Sequence, residues 1–136
     1  MATADNVELI ERLHRRLGES DDLTGLAEFF HPDFVSHSIP PGLPPGVEGI
    51  RGWFEGFRRA LPDLELRIDE LVVDGERVAV ATTMSGTHRG ELLGLKPTGR
   101  RVAVAGIDII RFADDTIIEH RGLTDTVGLL RQLGSD

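Results

Sequence analysis

The chain has 136 residues, a formal net charge of −8 and no cysteine. This length suits one domain, residues 1–136, with its own core. The acidic balance argues against a nucleic-acid partner, and the lack of cysteine excludes disulfides and thiolate metal sites. The sequence has no apolar run of membrane-spanning length and no signal-peptide pattern, so a cytoplasmic protein without a membrane partner is expected.

Three helices are predicted in the first half of the chain. Apolar residues recur at helical spacing over residues 5–17, and a shorter helix is predicted over 21–30. The third helix is predicted over 47–61. Its three glycines cost helix propensity, so close packing against a sheet is expected to offset them. The apolar face of this helix comprises Ile50, Trp53, Phe54, Phe57 and Leu61.

An irregular segment is predicted between the second and third helices. Four prolines and three glycines within residues 38–49 predict a constrained loop. Such loops commonly border binding sites, so Phe34 and His37 near its start are candidates to edge a pocket. His31 and Asp33 could simply cap or turn the chain. A metal site built from these two residues and His37 fits no known ligand spacing.

From residue 64 onward the apolar pattern changes to alternation, which predicts antiparallel strands. A parity shift near Asp69–Glu70 indicates a bulge, and Asp74-Gly75 is a hairpin turn signal. The predicted strands cover 64–73, 78–83, 102–112 and 117–123, with a closing helix over 124–133. This order predicts an α+β fold: a cone-shaped barrel of a strongly bent antiparallel sheet wrapped over three N-terminal helices, with a short C-terminal helix.

Both faces of the strand over 102–112 are apolar. One face carries Val104 and Ile110, and the other carries Ile107 and Ile109. An antiparallel strand with one wet face should alternate more cleanly between apolar and polar residues. The second face is therefore expected to pack against another subunit, in a homodimer or a higher homo-oligomer.

Two polar residues interrupt the apolar hairpin near the end of the chain. Asp108 shares the parity of Ile110, and His120 lies on the returning strand. A three-residue loop over 114–116 would pair Asp108 with Gly122 and make the acid and the imidazole diagonal neighbours on one face. Such a pair, beside the space left by Gly122, suits acid–base chemistry. A buried hydrogen bond that only pins the hairpin is an equally open interpretation.

Four segments carry a family pattern in order along the chain. They are HPDFVSH at 31–37, the run 49–80, GTHRGELLGLKPTGRRV at 86–102 and the tail 107–134. The pattern resembles the SnoaL-like polyketide cyclases, or ester cyclases, of the nuclear-transport-factor-2-like superfamily. The resemblance implies an oligomeric cone-shaped barrel whose deep apolar pocket holds a polyketide during an intramolecular aldol ring closure, without cofactor or metal. Related members are linked to hydroxylation instead.

The resemblance also shows where this chain departs from the family. In the ring-closing cyclases the catalytic aspartate matches Gly122 and a histidine matches Asp108, so the carboxylate here stands on the opposite strand. Asp108 is accordingly expected as the acid–base group and His120 as the group that orients it, unless the cyclase reaction has been lost. The residues expected to line or border the pocket are Phe34, His37, Trp53, Phe54, Phe57 and His88.

Three functions stay open on these grounds. The favoured one is a cofactor-independent enzyme that acts on a small hydrophobic aromatic or polyketide-like ketone. A hydroxylase, with oxygen admitted to an electron-rich polyphenol in the same pocket, is the second. The third is a module that binds a hydrophobic ligand without chemistry, in which case Asp108 and His120 are structural.

Overall fold

A computed structural model describes residues 3–20 and 22–134. None of the helices in these residues has both the length and the apolar character of a membrane span. The elements are α1 (Thr3–Glu19), β1 (Phe30–Ser36), α2 (Val47–Ala60), β2 (Glu65–Asp74), β3 (Arg77–Thr87), β4 (Arg101–Ala113), β5 (Thr116–Thr124) and α3 (Thr126–Gln132). The strands form one five-stranded sheet in the order β1-β5-β4-β3-β2. The α+β class is therefore confirmed, but the sheet is open and not closed as a barrel.

Strand β1 occupies a segment that was expected to be irregular. It pairs in parallel with β5, and Ser36 stands opposite His120. The other three pairings are antiparallel, so the sheet is mixed and the prediction of a purely antiparallel sheet is wrong. Pro32 obscures the strand in the sequence. Proline is nevertheless tolerated in an edge strand, because one side of its backbone needs no hydrogen-bond partner.

The helix expected over residues 21–30 is reduced to one 3-10 turn, Leu26–Phe29. The Asp22 carboxylate accepts hydrogen bonds from the backbone N–H and the hydroxyl of Thr24. Gly25 then adopts a left-handed φ of 81°. Together these features turn the chain before a helix can begin. In the described residues only α1 precedes the sheet and α2 follows its first strand, so two α-helices and not three lie before β2. The first residue of the expected helix lies outside the described residues.

Two local predictions for β2 are confirmed. The register with β3 shifts between Ile68 and Glu70, which is the predicted bulge. The chain reverses after Asp74, which pairs with Arg77, and Gly75 in the turn has a positive φ of 61°. The bulge brings Leu71 and Val73 back to the same face as Leu66 and Ile68, where all four pack against buried apolar side chains of the core.

The β4–β5 hairpin has a two-residue turn where three residues were expected. Asp114 and Asp115 have φ values of 52° and 65°, and Ala113 pairs with Thr116. Turns with two positive φ values match the twist of the flanking strands. The shorter turn alone would move the side chains of β5 to the opposite face of the sheet. Ile118 is an extra, unpaired residue whose bulge restores the expected register.

The glycine-bearing helix α2 packs against the proline-rich loop at its Gly49 position, where packing against the sheet was expected. A Cβ atom at Gly49 would lie 2.2 Å from the carbonyl oxygen of Pro44 and 2.8 Å from the Ile39 side chain. Only glycine allows the loop to approach the helix this closely. The loop over residues 37–46 is thereby held beside the inner, helix-covered face of the sheet.

Candidate active site

Helices α1 and α2, the loop over 37–46 and the inner face of the sheet line a partly open cavity of about 280 Å³. Most of its wall is apolar, which suits a flat hydrophobic ligand. The apolar lining includes Leu13, Leu17, Phe30, Ile39, Ile50, Trp53, Phe54, Met84, Val104, Ile110 and Ile117.

The polar residues on the sheet side of the cavity lie next to one another. Thr82 pairs with Gly106, and Gly106 pairs with Thr124. In the adjacent row Asp108 pairs with Gly122. The two glycines, Gly106 and Gly122, leave this part of the cavity wall without side chains of their own.

Asp108 and His120 form the central contact of this polar area. The Nε2 atom of His120 lies 2.7 Å from Oδ1 of Asp108. The Asp108 side chain is 28% exposed and the His120 side chain is 17% exposed, and both line the cavity. Asp108 stands opposite Gly122 and His120 opposite Ile110, so the predicted register is confirmed at the pair itself. The acid and the imidazole are in direct hydrogen-bond contact.

Gly122 is required by this contact. A Cβ atom at position 122 would lie 2.0 Å from Oδ1 of Asp108 and 3.0 Å from Nε2 of His120. Such distances are far below van der Waals contact, so any side chain here would displace the carboxylate. A carboxylate on β4 and a side chain at position 122 of β5 therefore exclude each other in this geometry.

Ser36 and Ser38 support the pair from β1 and the loop that follows it. Ser36 Oγ lies 2.8 Å from Nδ1 of His120, and Ser38 Oγ accepts a hydrogen bond of 2.7 Å from the Gly122 N–H. When the Ser36 hydroxyl donates to Nδ1, Nε2 carries the ring hydrogen and donates it to the Asp108 carboxylate. Neither serine is among the predicted site residues, because the parallel pairing of β1 was not recognised.

His14 on α1 is a further cavity residue absent from the predictions. Its side chain is 8% exposed, and Nδ1 lies 2.8 Å from the Ile10 carbonyl oxygen, to which it donates. Burial lowers the pKa of His14, against smaller opposing effects of the Ile10 hydrogen bond and the Asp108 charge. The sequence did hold a signal, since His14 adjoins the apolar stripe of α1, three residues before Leu17.

The predicted aromatic residues divide into two layers. Trp53 and Phe54 line the cavity. Phe34 and Phe57, which were expected to line or border the pocket, lie behind its wall. Phe34 packs 4.6 Å from the ring of Phe30, and Phe57 packs 4.7 Å from the ring of Trp53. Both are buried core residues that support aromatic side chains of the cavity from behind.

His88, which was expected to bind substrate, lies outside the cavity lining and is fully buried. Its Nδ1 accepts a hydrogen bond of 3.1 Å from the Thr98 N–H. Its backbone N–H donates to Arg100, and its carbonyl accepts from Gly99. These bonds fasten both ends of the loop between β3 and β4. His88 thus holds this loop, while its Nε2 is buried without a hydrogen-bond partner among the described residues.

His37 points away from the cavity toward Glu119. Its Nε2 lies 2.8 Å from Oε2 of Glu119, and its backbone N–H donates to the His120 carbonyl. Arg111 Nε donates to the other carboxylate oxygen of Glu119 at 2.8 Å. The hydrogen bond from Arg111, followed by that from His37, lowers the pKa of Glu119 to about 2. His37 therefore ties the loop to the outer face of the sheet and does not edge the pocket.

Replacing Glu119 by glutamine should make stability less sensitive to acid. The folded state holds the Glu119 carboxylate ionised to a pKa of about 2, against an ordinary value of 4.5. Its stabilising contribution is therefore present above pH 4.5 and is lost as the pH falls toward 2. Urea midpoints at pH 6, 4 and 3 should fall less steeply in Glu119→Gln than in the wild type. Glu11→Gln, at an exposed position of α1, is the matched control; equal acid sensitivity of all three proteins would contradict this account.

The three residues considered for a metal do not converge. His31 and Asp33 lie within β1, where His31 Nδ1 accepts a hydrogen bond of 3.0 Å from the Asp33 N–H. Its Nε2 lies 3.4 Å from a carboxylate oxygen of Asp114, while His37 binds Glu119. Within residues 3–20 and 22–134, no three histidine, aspartate or glutamate side chains are grouped so that they could hold a metal ion.

Comparison with known proteins gives consistent matches along nearly the whole chain. The family model for SnoaL-like polyketide cyclases matches residues 8–133. Nogalonic acid methyl ester cyclase of Streptomyces nogalater is 33% identical over 124 residues, which cover 86% of this chain and 87% of the relative.

Solved structures agree with this match. TsrD from Streptomyces laurentii superposes with a TM-score of 0.88 at 32% identity, over 100% of this chain and 99% of that one. AclR from Streptomyces galilaeus, a candidate hydroxylase, superposes with a TM-score of 0.85 at 29% identity, over 98% of this chain and 83% of that one. With this fold, this cavity and a family match over most of its length, the chain belongs to the SnoaL-like polyketide cyclase family.

Proposed function

We propose that this protein is a cofactor-independent enzyme that closes a ring in an aromatic or polyketide-like ketone by acid–base chemistry. The observation that carries the proposal is the hydrogen bond of 2.7 Å between Asp108 and His120 at the polar side of an apolar cavity. The similarity to nogalonic acid methyl ester cyclase supports a polyketide ester as substrate. We place the activity in the cytoplasm, in keeping with a chain that has no cysteine to oxidise.

In the proposed reaction, the Asp108 carboxylate removes a proton from a carbon atom next to a substrate carbonyl. The resulting enolate carbon attacks a second carbonyl carbon of the same molecule, and one C–C bond forms. Asp108 then returns its proton to the new alkoxide. The reaction has no leaving group and no redox change, so the product is an isomer of the substrate. His120 donates from Nε2 to hold the carboxylate in place, with Ser36 fixing the ring from behind.

A direct assay tests this proposal against its alternatives. Purified protein is incubated with nogalonic acid methyl ester while oxygen uptake and product mass are followed. Ring closure predicts a product of unchanged mass and no oxygen uptake. Substrate that binds but is recovered unchanged under all conditions, with this and related polyketide esters, would overturn the enzymatic proposal in favour of a binding module.

A hydroxylase is the second candidate, because the structural similarity extends to AclR. The acid–base residue also stands on a different strand from that of the ring-closing cyclases, as the family resemblance implies. In the same assay, with a two-electron donor added, a hydroxylase would consume one O2, insert one oxygen atom into the substrate and release the other as water, giving a product heavier by one oxygen atom. That result would replace ring closure as the reaction while leaving the cavity as the site.

We also propose that two copies of the chain pack through the outer face of the sheet. Large apolar side chains on this face are exposed on β2, β4 and β5, where a soluble surface normally carries polar groups. Glu70 lies on β2 at one side of the patch and Arg121 on β5 at the other. With a two-fold axis parallel to the strands, the Glu70 side of each patch would lie opposite the Arg121 side of the other copy's patch. The patch comprises Val72, Ile107, Ile109 and Leu123, which are between 48% and 85% exposed.

Light scattering at micromolar concentration should therefore give the mass of two chains. Aspartate in place of Ile107, at the centre of the patch, should give a monomer that stays folded, because burying an unpaired charge is unfavourable. Leu93→Asp, at an exposed apolar residue in the loop between β3 and β4, should leave the dimer intact. A monomeric wild type would remove the proposed interface.

A further inference from the structure

We infer that His14 forms a hydroxyl-recognising subsite, in which its Nε2 atom accepts a hydrogen bond from a phenolic or enolic hydroxyl of the ligand. The inference deepens the proposed function and rests on it for the polyketide class of the ligand. It concerns binding and not proton transfer at Asp108. It can therefore be tested without turnover.

His14 reaches the cavity from a different element than the acid–base pair. His14 belongs to α1, whereas Asp108 and His120 belong to the sheet, and all three line the same cavity. The charge of the Asp108 carboxylate acts on the His14 ring, so the two groups share one electrostatic environment. A flat ligand held between helix and sheet would therefore meet both walls.

Hydrogen bonding leaves one nitrogen of His14 for a ligand. Nδ1 donates to the Ile10 carbonyl oxygen at 2.8 Å, and a carbonyl can only accept, so Nδ1 carries the ring hydrogen. In the neutral ring Nε2 is then an acceptor. Within the part of the chain that the structure describes, no residue hydrogen-bonds to Nε2. Nε2 is not among the fully buried atoms without a partner, so it can take a hydrogen bond from a ligand that fills the cavity.

Burial decides which chemical group fits. Desolvation lowers the pKa of His14, so the ring is neutral near pH 7 and offers a lone pair but no positive charge at Nε2. A neutral hydroxyl donor is complementary to that atom. A carboxylate or carbonyl oxygen of the ligand would place its own lone pair against the lone pair of Nε2, and the two would repel each other. The aromatic and aliphatic lining around His14 favours a hydroxyl carried on a ring system.

The test compares two ligands of the same shape, 2-hydroxyanthraquinone and 2-methylanthraquinone. Their dissociation constants are measured at pH 7.5 by quenching of Trp53, the one tryptophan of the chain and a cavity residue. The wild type should prefer the hydroxyl compound by about 10- to 100-fold, the range expected when the methyl compound covers the Nε2 acceptor without pairing with it. Equal affinities in the wild type would overturn the inference.

Three variants assign the preference to an atom. His14→Leu should lose the preference while still binding 2-methylanthraquinone, and His14→Gln should retain part of it through its amide oxygen. Met84→Leu, a change of shape in the same lining, should keep the full preference. If the preference survives in His14→Leu but disappears in Asp108→Asn, the carboxylate recognises the hydroxyl and the inference fails. If the wild type shows no preference for the hydroxyl compound but still closes the ring of nogalonic acid methyl ester, the inference about His14 fails while the proposed function stands.

Discussion

Asparagine in place of Asp108 is expected to lower kcat by about 10²- to 10⁴-fold, the usual effect of removing a general acid–base group. Asparagine has nearly the same shape, and its carbonyl oxygen can still accept a hydrogen bond from His120, whose Nε2 lies 2.7 Å from the carboxylate. It cannot take up or return a proton. The measurement is turnover of nogalonic acid methyl ester at saturation, with affinity followed by Trp53 fluorescence.

The control for this variant is Asp33→Asn, which changes an 85% exposed carboxylate on β1. It should retain the wild-type kcat. Thermal unfolding of both variants separates chemistry from structure, because a hydrogen bond that only pins the hairpin would affect the melting temperature and not the rate of a folded protein. A wild-type kcat in Asp108→Asn would exclude the carboxylate from proton transfer, whatever the melting temperature.

Alanine in place of Gly122 should lower kcat by about 10²-fold, although it adds one methyl group and removes no catalytic atom. The new Cβ atom would lie 2.0 Å from Oδ1 of Asp108 and 3.0 Å from Nε2 of His120. The carboxylate must move to relieve this overlap, and its contact with His120 is lost. Displacements of about 1 Å at a reacting group commonly cost two orders of magnitude in rate.

Gly106→Ala is the matched control, because Gly106 lies on the neighbouring strand and lines the same cavity. A Cβ atom there would have no neighbour closer than 3.4 Å. This variant therefore reduces the space of the cavity without displacing Asp108, and its kcat should stay within about threefold of the wild type, a change smaller than 1 kcal/mol. Equal losses in the two alanine variants would mean that cavity space, and not the position of Asp108, controls the rate.

Exchanging the residues at positions 108 and 122 across the hairpin tests whether the catalytic carboxylate has moved from one strand to the other. The family resemblance places the aspartate of ring-closing cyclases at position 122 and a histidine at position 108. Gly122→Asp alone would force two carboxylates into one space, because the residues stand directly opposite each other. The double variant Asp108→His with Gly122→Asp restores the family arrangement and should be more active than either single variant. No recovery would show that the two arrangements are not equivalent in this cavity.

The site pair could be predicted because it depends on short-range rules. Alternation along β4 put Asp108 on the inner face, and the hairpin brought His120 diagonally beside it. The predicted turn was one residue too long, yet the pairing of Asp108 with Gly122 was right. Ile117 is buried and His120 is partly buried on the same face of the sheet, which requires the bulge at Ile118. The burial of these residues therefore kept the predicted register, although the shorter turn alone would have shifted it.

The sequence by itself therefore determined the fold class, the strand parity of the hairpin and the pairing of its acid with glycine and histidine. Only the tertiary structure decided which distant segments close over that pair. It placed Ser36 behind His120 through a parallel strand, brought His14 into the cavity from α1 and left His37 and His88 outside it. The physical reason is range: alternation and turn geometry act between neighbours in the chain, whereas the walls of the cavity depend on how helices, loop and sheet pack together.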